Sequence, residues 1–141
     1  MPKLRVERII EVKENIMDDK RKEMETFVAE IERLTNDISD IDCNIDINYN
    51  KLTATVLNSN DIYVLKEYII YLENKKLEII GQREKLRVKI DTVKAELFEL
   101  IKEIKMLEIL KSKELKIIKK SQNRREQKML DELASRIDER K

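Results

Sequence analysis

The chain is poor in the residue types from which most catalytic and metal sites are built. Its 141 residues include no histidine, no tryptophan, one cysteine and one glycine. A zinc site is excluded because the chain has no histidine and only one cysteine to serve as ligands. A glycine-rich phosphate loop is excluded because glycine occurs only at Gly81. We therefore expect no catalytic residues, no metal, no cofactor and no enzymatic activity.

Long apolar runs are also missing. No stretch approaches the ~18 residues that a membrane-spanning helix needs, and no charged-then-apolar leader is present. These absences predict a cytoplasmic protein without direct membrane insertion. Cys43 has no second cysteine to pair with, and it lies between Ile41 and Ile45 in the sequence. The sequence predicts a reduced, half-buried thiol there.

Apolar residues instead recur at seven-residue spacing in two long tracts. The first tract consists of Val6, Ile10, Met17, Met24, Phe27, Ile31, Leu34, Ile38, Ile41, Ile45 and Leu52. The second consists of Ile62, Leu65, Ile69, Leu72, Ile79, Leu86, Ile90, Val93, Leu97, Leu100, Ile104 and Leu107. This spacing places one apolar stripe on each of two α-helices, the pattern of a coiled coil. Charged residues make up 42% of the chain, and they keep the remaining faces of the two helices in contact with water.

The two tracts are out of phase, and residues 53–61 separate them. β-branched residues and then four polar turn formers weaken the helix there, which favours a turn over a stutter in one helix. The fold class predicted is all-α: one domain over 1–141, a two-helix antiparallel coiled-coil hairpin with helices at about 2–57 and 61–137. Asn60 or Asp61 would cap the second helix. Facing residue numbers would sum to about 118, leaving residues from Leu115 onward as an unpaired helical overhang.

Some seam positions are polar. These are Lys13, Lys20, Asn48, Lys76, Arg83 and Lys111. The long aliphatic stems of the lysines and the arginine can lie along the groove between the helices while their charged ends reach water. Polar seam residues also commonly fix the register of a coiled coil.

Positive charge is concentrated near the predicted overhang. Residues 111–128 carry eight basic and two acidic side chains, a local charge of +6 in a chain of net charge +1. No aromatic residue or nucleic-acid-binding module accompanies it, so we expect no nucleic-acid partner. The stretch favours docking onto an acidic protein surface; a merely solvated helix is the open alternative.

All four tyrosines, Tyr49, Tyr63, Tyr68 and Tyr71, lie near the predicted turn. Tyr68 and Tyr71 cannot both enter the seam, so at least one points outward. Exposed tyrosine is frequent at the energetic centres of protein interfaces, and interface and rim-packing roles both remain open.

Two segments carry a resemblance to a known family. Residues 123–134, Asn-Arg-Arg-Glu-Gln-Lys-Met-Leu-Asp-Glu-Leu-Ala, resemble the C-terminal signature of the FliJ family, and residues 68–73, Tyr-Ile-Ile-Tyr-Leu-Glu, resemble its aromatic-x-x-x-Leu-Glu pattern. These are coiled-coil proteins of the flagellar type III export apparatus. The resemblance covers the whole chain in length, in the position of the turn and in the basic overhang.

The resemblance implies a stalk inserted in the hexameric export ATPase at the cytoplasmic side of the flagellar base. It implies further contacts with the cytoplasmic domain of the export-gate membrane protein and with export chaperones. The residues implied at the gate are Tyr68, Leu72, Lys75, Ile79, Cys43 and Ile47. Those expected at the ATPase, from the basic stretch and the signature, are Lys119, Lys120, Arg124, Arg125, Met129, Leu130 and Leu133. The chain departs from members with tyrosines at the first-helix gate positions.

Three alternatives remain open at this point. The chain could be the equivalent stalk of a virulence injectisome, a holdase that binds unfolded export substrates, or a purely structural homodimeric coiled coil.

Overall fold

A computed structural model describes residues 4–54 and 56–139, and two long α-helices account for almost all of them. Helix α1 is Arg5–Ala54 and helix α2 is Ser59–Glu139. The described residues include no β-strand. The predicted all-α class, with two long helices packed against each other as in a helical hairpin, is confirmed.

The chain divides into two compact units, each built from a segment of both helices. Unit 1 comprises Met1–Met17 and Phe98–Lys141, and unit 2 comprises Asp18–Leu97. In unit 2 the core is a continuous cluster of aliphatic side chains from both helices: Leu34, Ile38, Ile41, Ile45, Ile69, Leu72 and Ile79. In unit 1, Val6 and Ile10 of α1 pack with Ile104 of α2, and Met17 and Leu107 flank them.

The predicted seam is confirmed residue by residue. Every apolar position of the two heptad tracts is buried or half-buried, and none is exposed. Leu34 and Ile69 are the most enclosed, each with 3% of its surface exposed. The polar seam residues are buried or half-buried as well, so the heptad spacing alone located the interface between the helices.

Cross-helix contacts show that the helices run antiparallel within each unit. In unit 2, Lys76 Nζ lies 2.6 Å from Asp42 Oδ1, and the Arg83 guanidinium donates to Thr35 Oγ1 at 3.4 Å. Residue numbers in both pairs add up to 118. In unit 1, Lys111 lies 3.5 Å from Glu7, again adding up to 118. The predicted register is therefore confirmed in both units.

The charged seam residues pair across the helices beside the apolar core. Lys13 Nζ lies 2.6 Å from Glu103, and Lys20 pairs with Glu96. The hydrogen bond from Lys20 to Glu96 raises the pKa of the lysine, although desolvation opposes the shift. These contacts tie a residue of α1 to one position on α2, which is the register-fixing role expected of them.

Asn58 is the residue that caps α2. Its side-chain Oδ1 accepts a hydrogen bond from the Asp61 amide at 2.8 Å, and its carbonyl accepts one from the Ile62 amide at 3.1 Å. The sequence-based assignment of the cap to Asn60 or Asp61 is wrong because the helix begins earlier, at Ser59, and the cap must precede the first helical turn.

The Cys43 thiol is exposed, so the prediction of a half-buried thiol is wrong. Cys43 is two residues from Ile41 and two from Ile45, and two residues correspond to about 200° around a helix. The side chain therefore points away from the seam that both isoleucines enter.

Candidate partner-binding surfaces

No helix among the described residues packs against the C-terminal segment, residues 115–139 of α2. All its residues are exposed. The register explains why: Glu7 pairs with Lys111, and α1 begins at Arg5, so no α1 residue remains to face the segment. The unpaired overhang predicted from the register is confirmed in unit 1.

Large apolar side chains of this segment are open to solvent. Met129 is 63% exposed, Leu130 60% and Leu133 51%. Four more residues, Leu115, Ile117, Ile118 and Ile137, are exposed in the same segment. Sequence reasoning did not place these four in a site, although the helical spacing of Leu115, Ile118 and Ile137 from the signature residues was a usable signal. Exposed apolar patches of this kind commonly mark protein interaction sites.

The basic residues of the segment are also without partners. Within the described part of the chain, Lys119, Lys120, Arg124 and Arg125 form no ion pair, and all four are exposed. An open groove beside α2, lined in part by Leu115 and Lys119, lies at the start of the segment. Unpaired cations beside an exposed apolar stripe fit an acidic, partly apolar protein surface.

A second exposed surface lies near the turn, in unit 2. The rings of Tyr68 and Tyr71 stack with centroids 6.3 Å apart, and Lys75 Nζ lies 5.9 Å from the Tyr71 ring centroid. Both tyrosines are exposed, 44% for Tyr68 and 56% for Tyr71, so the expectation that at least one points outward is confirmed. Tyr68, Tyr71 and Lys75 together form one exposed surface, the tyrosine face.

Leu72 and Ile79, implied by the resemblance as gate residues, belong to the core of unit 2. They are 4% and 9% exposed, so they offer little surface to a partner. Cys43 and Ile47 of α1 are exposed.

Tyr49 of α1 contacts a residue of α2 other than Tyr68 and Tyr71. Its hydroxyl donates to Glu73 Oε1 at 3.3 Å. The negative charge of Glu73 is the main cause of a raised pKa at Tyr49, with desolvation and the hydrogen bond adding to it. The Tyr49 hydroxyl therefore already has a hydrogen-bond partner within the protein.

One surface was missed by the sequence reasoning. In unit 1, Ile9, Val12 and Ile16 form an exposed apolar row on α1, and they line an open groove together with Arg5 and Arg8. The signal was present in the spacing, because these residues recur three and four apart outside the heptad seam.

Two classes of site find no support in the described residues. None of the helices there is long and apolar enough to cross a membrane. No cluster of three or more candidate side chains suited to a metal ion occurs in the same part of the chain.

Comparison with protein families identifies the family of the chain. The model of the family described as flagellar FliJ protein matches residues 2–141. The chain belongs to the FliJ family. It is therefore related to flagellar protein export and to the export apparatus. No significant match was found among curated proteins or among solved structures.

Proposed function

We propose that the chain is a non-enzymatic stalk of the flagellar type III export apparatus. It inserts in the hexameric export ATPase, promotes ATP hydrolysis, links the ring to the export gate and escorts export chaperones. The observation that carries the proposal is the C-terminal segment, where unpaired cations and exposed apolar residues share a helix that has no partner in the fold. Membership of a flagellar family favours this apparatus over an injectisome.

The physical basis of stimulation is the asymmetry of the stalk. A single helical segment inside a sixfold ring cannot contact all six subunits in the same way, so it stabilises different states in different subunits. A ligand that binds the assembled ring better than free subunits also drives assembly by mass action. Neither effect requires a catalytic residue on the stalk.

Two kinds of interaction would act at the ATPase. The basic residues of the segment steer it toward an acidic surface and raise the association rate, which makes binding sensitive to salt. Met129, Leu130 and Leu133 supply apolar area, and each contributes up to about 1.5–3 kcal/mol if it is fully buried. The charges thus determine how fast the complex forms, and the apolar side chains hold it together.

The gate contact is assigned to the tyrosine face near the turn. Tyr68 and Lys75 are exposed there, and the stacked Tyr71 fixes their surroundings. Tyrosine in a fixed rotamer loses little conformational entropy on binding, which is one reason that it is frequent at interface hot spots. Ile47 and Cys43 add exposed surface on α1 in the same unit.

The ATPase contact is tested by reversing four charges at once. The variant carries Lys119→Glu, Lys120→Glu, Arg124→Glu and Arg125→Glu, and stimulation of ATP hydrolysis is measured with the purified export ATPase. Loss of stimulation is expected, because the reversed segment repels an acidic docking surface. The seam is untouched, so the helix content should not change.

The matched control reverses four exposed lysines outside the segment, which gives the same net charge. The control substitutions are Lys66→Glu, Lys85→Glu, Lys94→Glu and Lys105→Glu. Stimulation should survive in this control. If the charge-reversed segment stimulates ATP hydrolysis as well as this control does, the docking surface lies elsewhere on the chain.

A further inference from the structure

Five of the seven exposed large apolar residues of the C-terminal segment lie on one stripe along the helix, and Ile117 and Leu130 lie outside it. Its members are Leu115, Ile118, Gln122, Glu126, Met129, Leu133 and Ile137. They follow each other at three or four residues, close to the ~3.6 residues per helical turn, so the stripe stays on one face. Its five apolar members are 41–63% exposed. A row of this length without a cover is unusual on a monomer and marks an interface.

The stripe is complementary to itself in the antiparallel direction. If Arg125 of one copy lies opposite Glu126 of a second, Ile118 falls opposite Leu133. The ends then match as well, with Leu115 beside Ile137. Near the centre of the pair Arg125 meets Glu126 and Met129 meets Gln122, and the contacts between apolar residues lie further out on both sides. Antiparallel helices pack their apolar stripes in this way in a coiled coil.

The charges of the segment are also complementary to those of a second copy that runs antiparallel to it. Residues 116–125 carry five basic and no acidic side chains, whereas residues 126–139 carry five acidic and two basic ones, giving +5 and −3. An antiparallel pair places the basic half of each copy along the acidic half of the other. A parallel pair would place five cations against five cations. Arg140 and Lys141 follow the stripe in sequence and lie outside it.

The helix itself does not account for this order of charges. The helix macrodipole favours anions near the N-terminus and cations near the C-terminus. The last turn of α2 follows this preference only in part, because Arg136 is joined there by Asp138 and Glu139. A partner whose facing surface is basic would stabilise these two carboxylates.

We propose that two copies of this chain associate through their C-terminal segments, which pack side by side and antiparallel about Arg125 and Glu126. The second copy covers the apolar stripe that the fold leaves open. The same residues dock onto the ATPase in the function proposed above, so pairing and docking exclude each other. The pairing does not depend on that function.

Sedimentation equilibrium of the full chain tests the pairing without any ATPase. At low salt the mass should rise from the 16.9 kDa of one chain toward twice that value as concentration increases. Reversing Lys119→Glu with Lys120→Glu should abolish the rise, because like charges then face each other. Adding Asp131→Lys and Glu132→Lys to that variant should restore it, because the complementarity returns with its signs exchanged.

The control is the pair Lys85→Glu and Lys94→Glu, which changes net charge equally and should associate like the wild type. A wild-type mass that stays at 16.9 kDa at every concentration would overturn the proposal. So would a combined variant that fails to regain association while its helix content is unchanged.

Single cysteines test the direction of pairing. In a Cys43→Ser background, Glu126→Cys should form a disulfide-linked dimer readily, since the two copies of residue 126 lie close together near the twofold axis. Ile118→Cys should not, because its counterpart lies opposite residue 133. Efficient crosslinking at both positions would indicate parallel chains and contradict the proposal.

Discussion

At the scale of single residues, stability rests on the aliphatic side chains of the seam more than on its charges. Leu34 and Ile69 are nearly enclosed, and truncation of such a side chain removes its transfer free energy and leaves a cavity. The charged seam residues are only partly covered: the side chain of Lys20 is 28% exposed and that of its partner Glu96 43%. Partly exposed ion pairs contribute little net free energy.

This difference predicts the ranking of two substitutions in unit 2. Ile69→Ala should lower the free energy of unfolding by about 2–5 kcal/mol. Lys20→Met keeps a long apolar stem in the groove and should change the free energy of unfolding much less. Urea titrations followed by circular dichroism measure both. A larger loss for Lys20→Met than for Ile69→Ala would show that the ion pairs, rather than the apolar seam, stabilise the fold.

Tyr68 provides a prediction at the gate-binding surface. Tyr68→Ala should weaken binding to the cytoplasmic domain of the export gate by about 2 kcal/mol if the tyrosine is a hot spot. It should leave ATPase stimulation unchanged, because the C-terminal segment is intact. Titration calorimetry measures the first effect, and motility in soft agar should decrease with it.

Tyr63→Ala is the matched control for that substitution, since Tyr63 is an exposed tyrosine near the same turn and is not assigned to the gate surface. Equal binding by Tyr68→Ala and the wild type would remove Tyr68 from the site. A weakened gate contact in both variants would show that the surface is broader than the stacked pair.

At the scale of elements, heptad spacing predicted more of the fold than any individual residue did. It located both stripes, because a repeat of seven determines which face of a helix is apolar. The position of the turn between the two tracts then predicted the register. It failed where direction around the helix mattered: Cys43 is close to the seam in sequence and points away from it. Asn58 was missed as the cap because the first residue of α2 could not be read from turn composition alone.

The candidate surfaces were predicted less completely for a different reason. The basic residues and Met129, Leu130 and Leu133 were located because charge and signature are features of sequence. Leu72 and Ile79 came from the resemblance and also occupy heptad positions, so the seam competes with the partner for them. The structure confirms that the seam buries both side chains.

Helix α2 should be unevenly stable along its length. Residues 90–107 include buried side chains in each unit, whereas residues 119–139 have no packing partner and depend on helix propensity alone. In dilute solution, amide exchange should be slow in the first range and fast in the second. Uniform protection along α2 in dilute solution would contradict the account, and protection that grows with concentration would report association of the segments.

At the scale of the whole molecule, three features of the described residues bear on function. They are the paired helices, the C-terminal segment with its exposed cations and apolar residues, and the tyrosine face near the turn. Membership of the FliJ family relates these surfaces to flagellar protein export. The proposed stalk role requires that one chain serve a ring of six identical subunits.

Native mass spectrometry of the chain mixed with the export ATPase and a non-hydrolysable nucleotide measures that stoichiometry directly. The account predicts a complex of six ATPase subunits with a single copy of this chain, and its loss when Lys119, Lys120, Arg124 and Arg125 are changed to glutamate. A complex with one copy on each ATPase subunit, or a hexamer that forms without retaining the chain, would contradict the stalk.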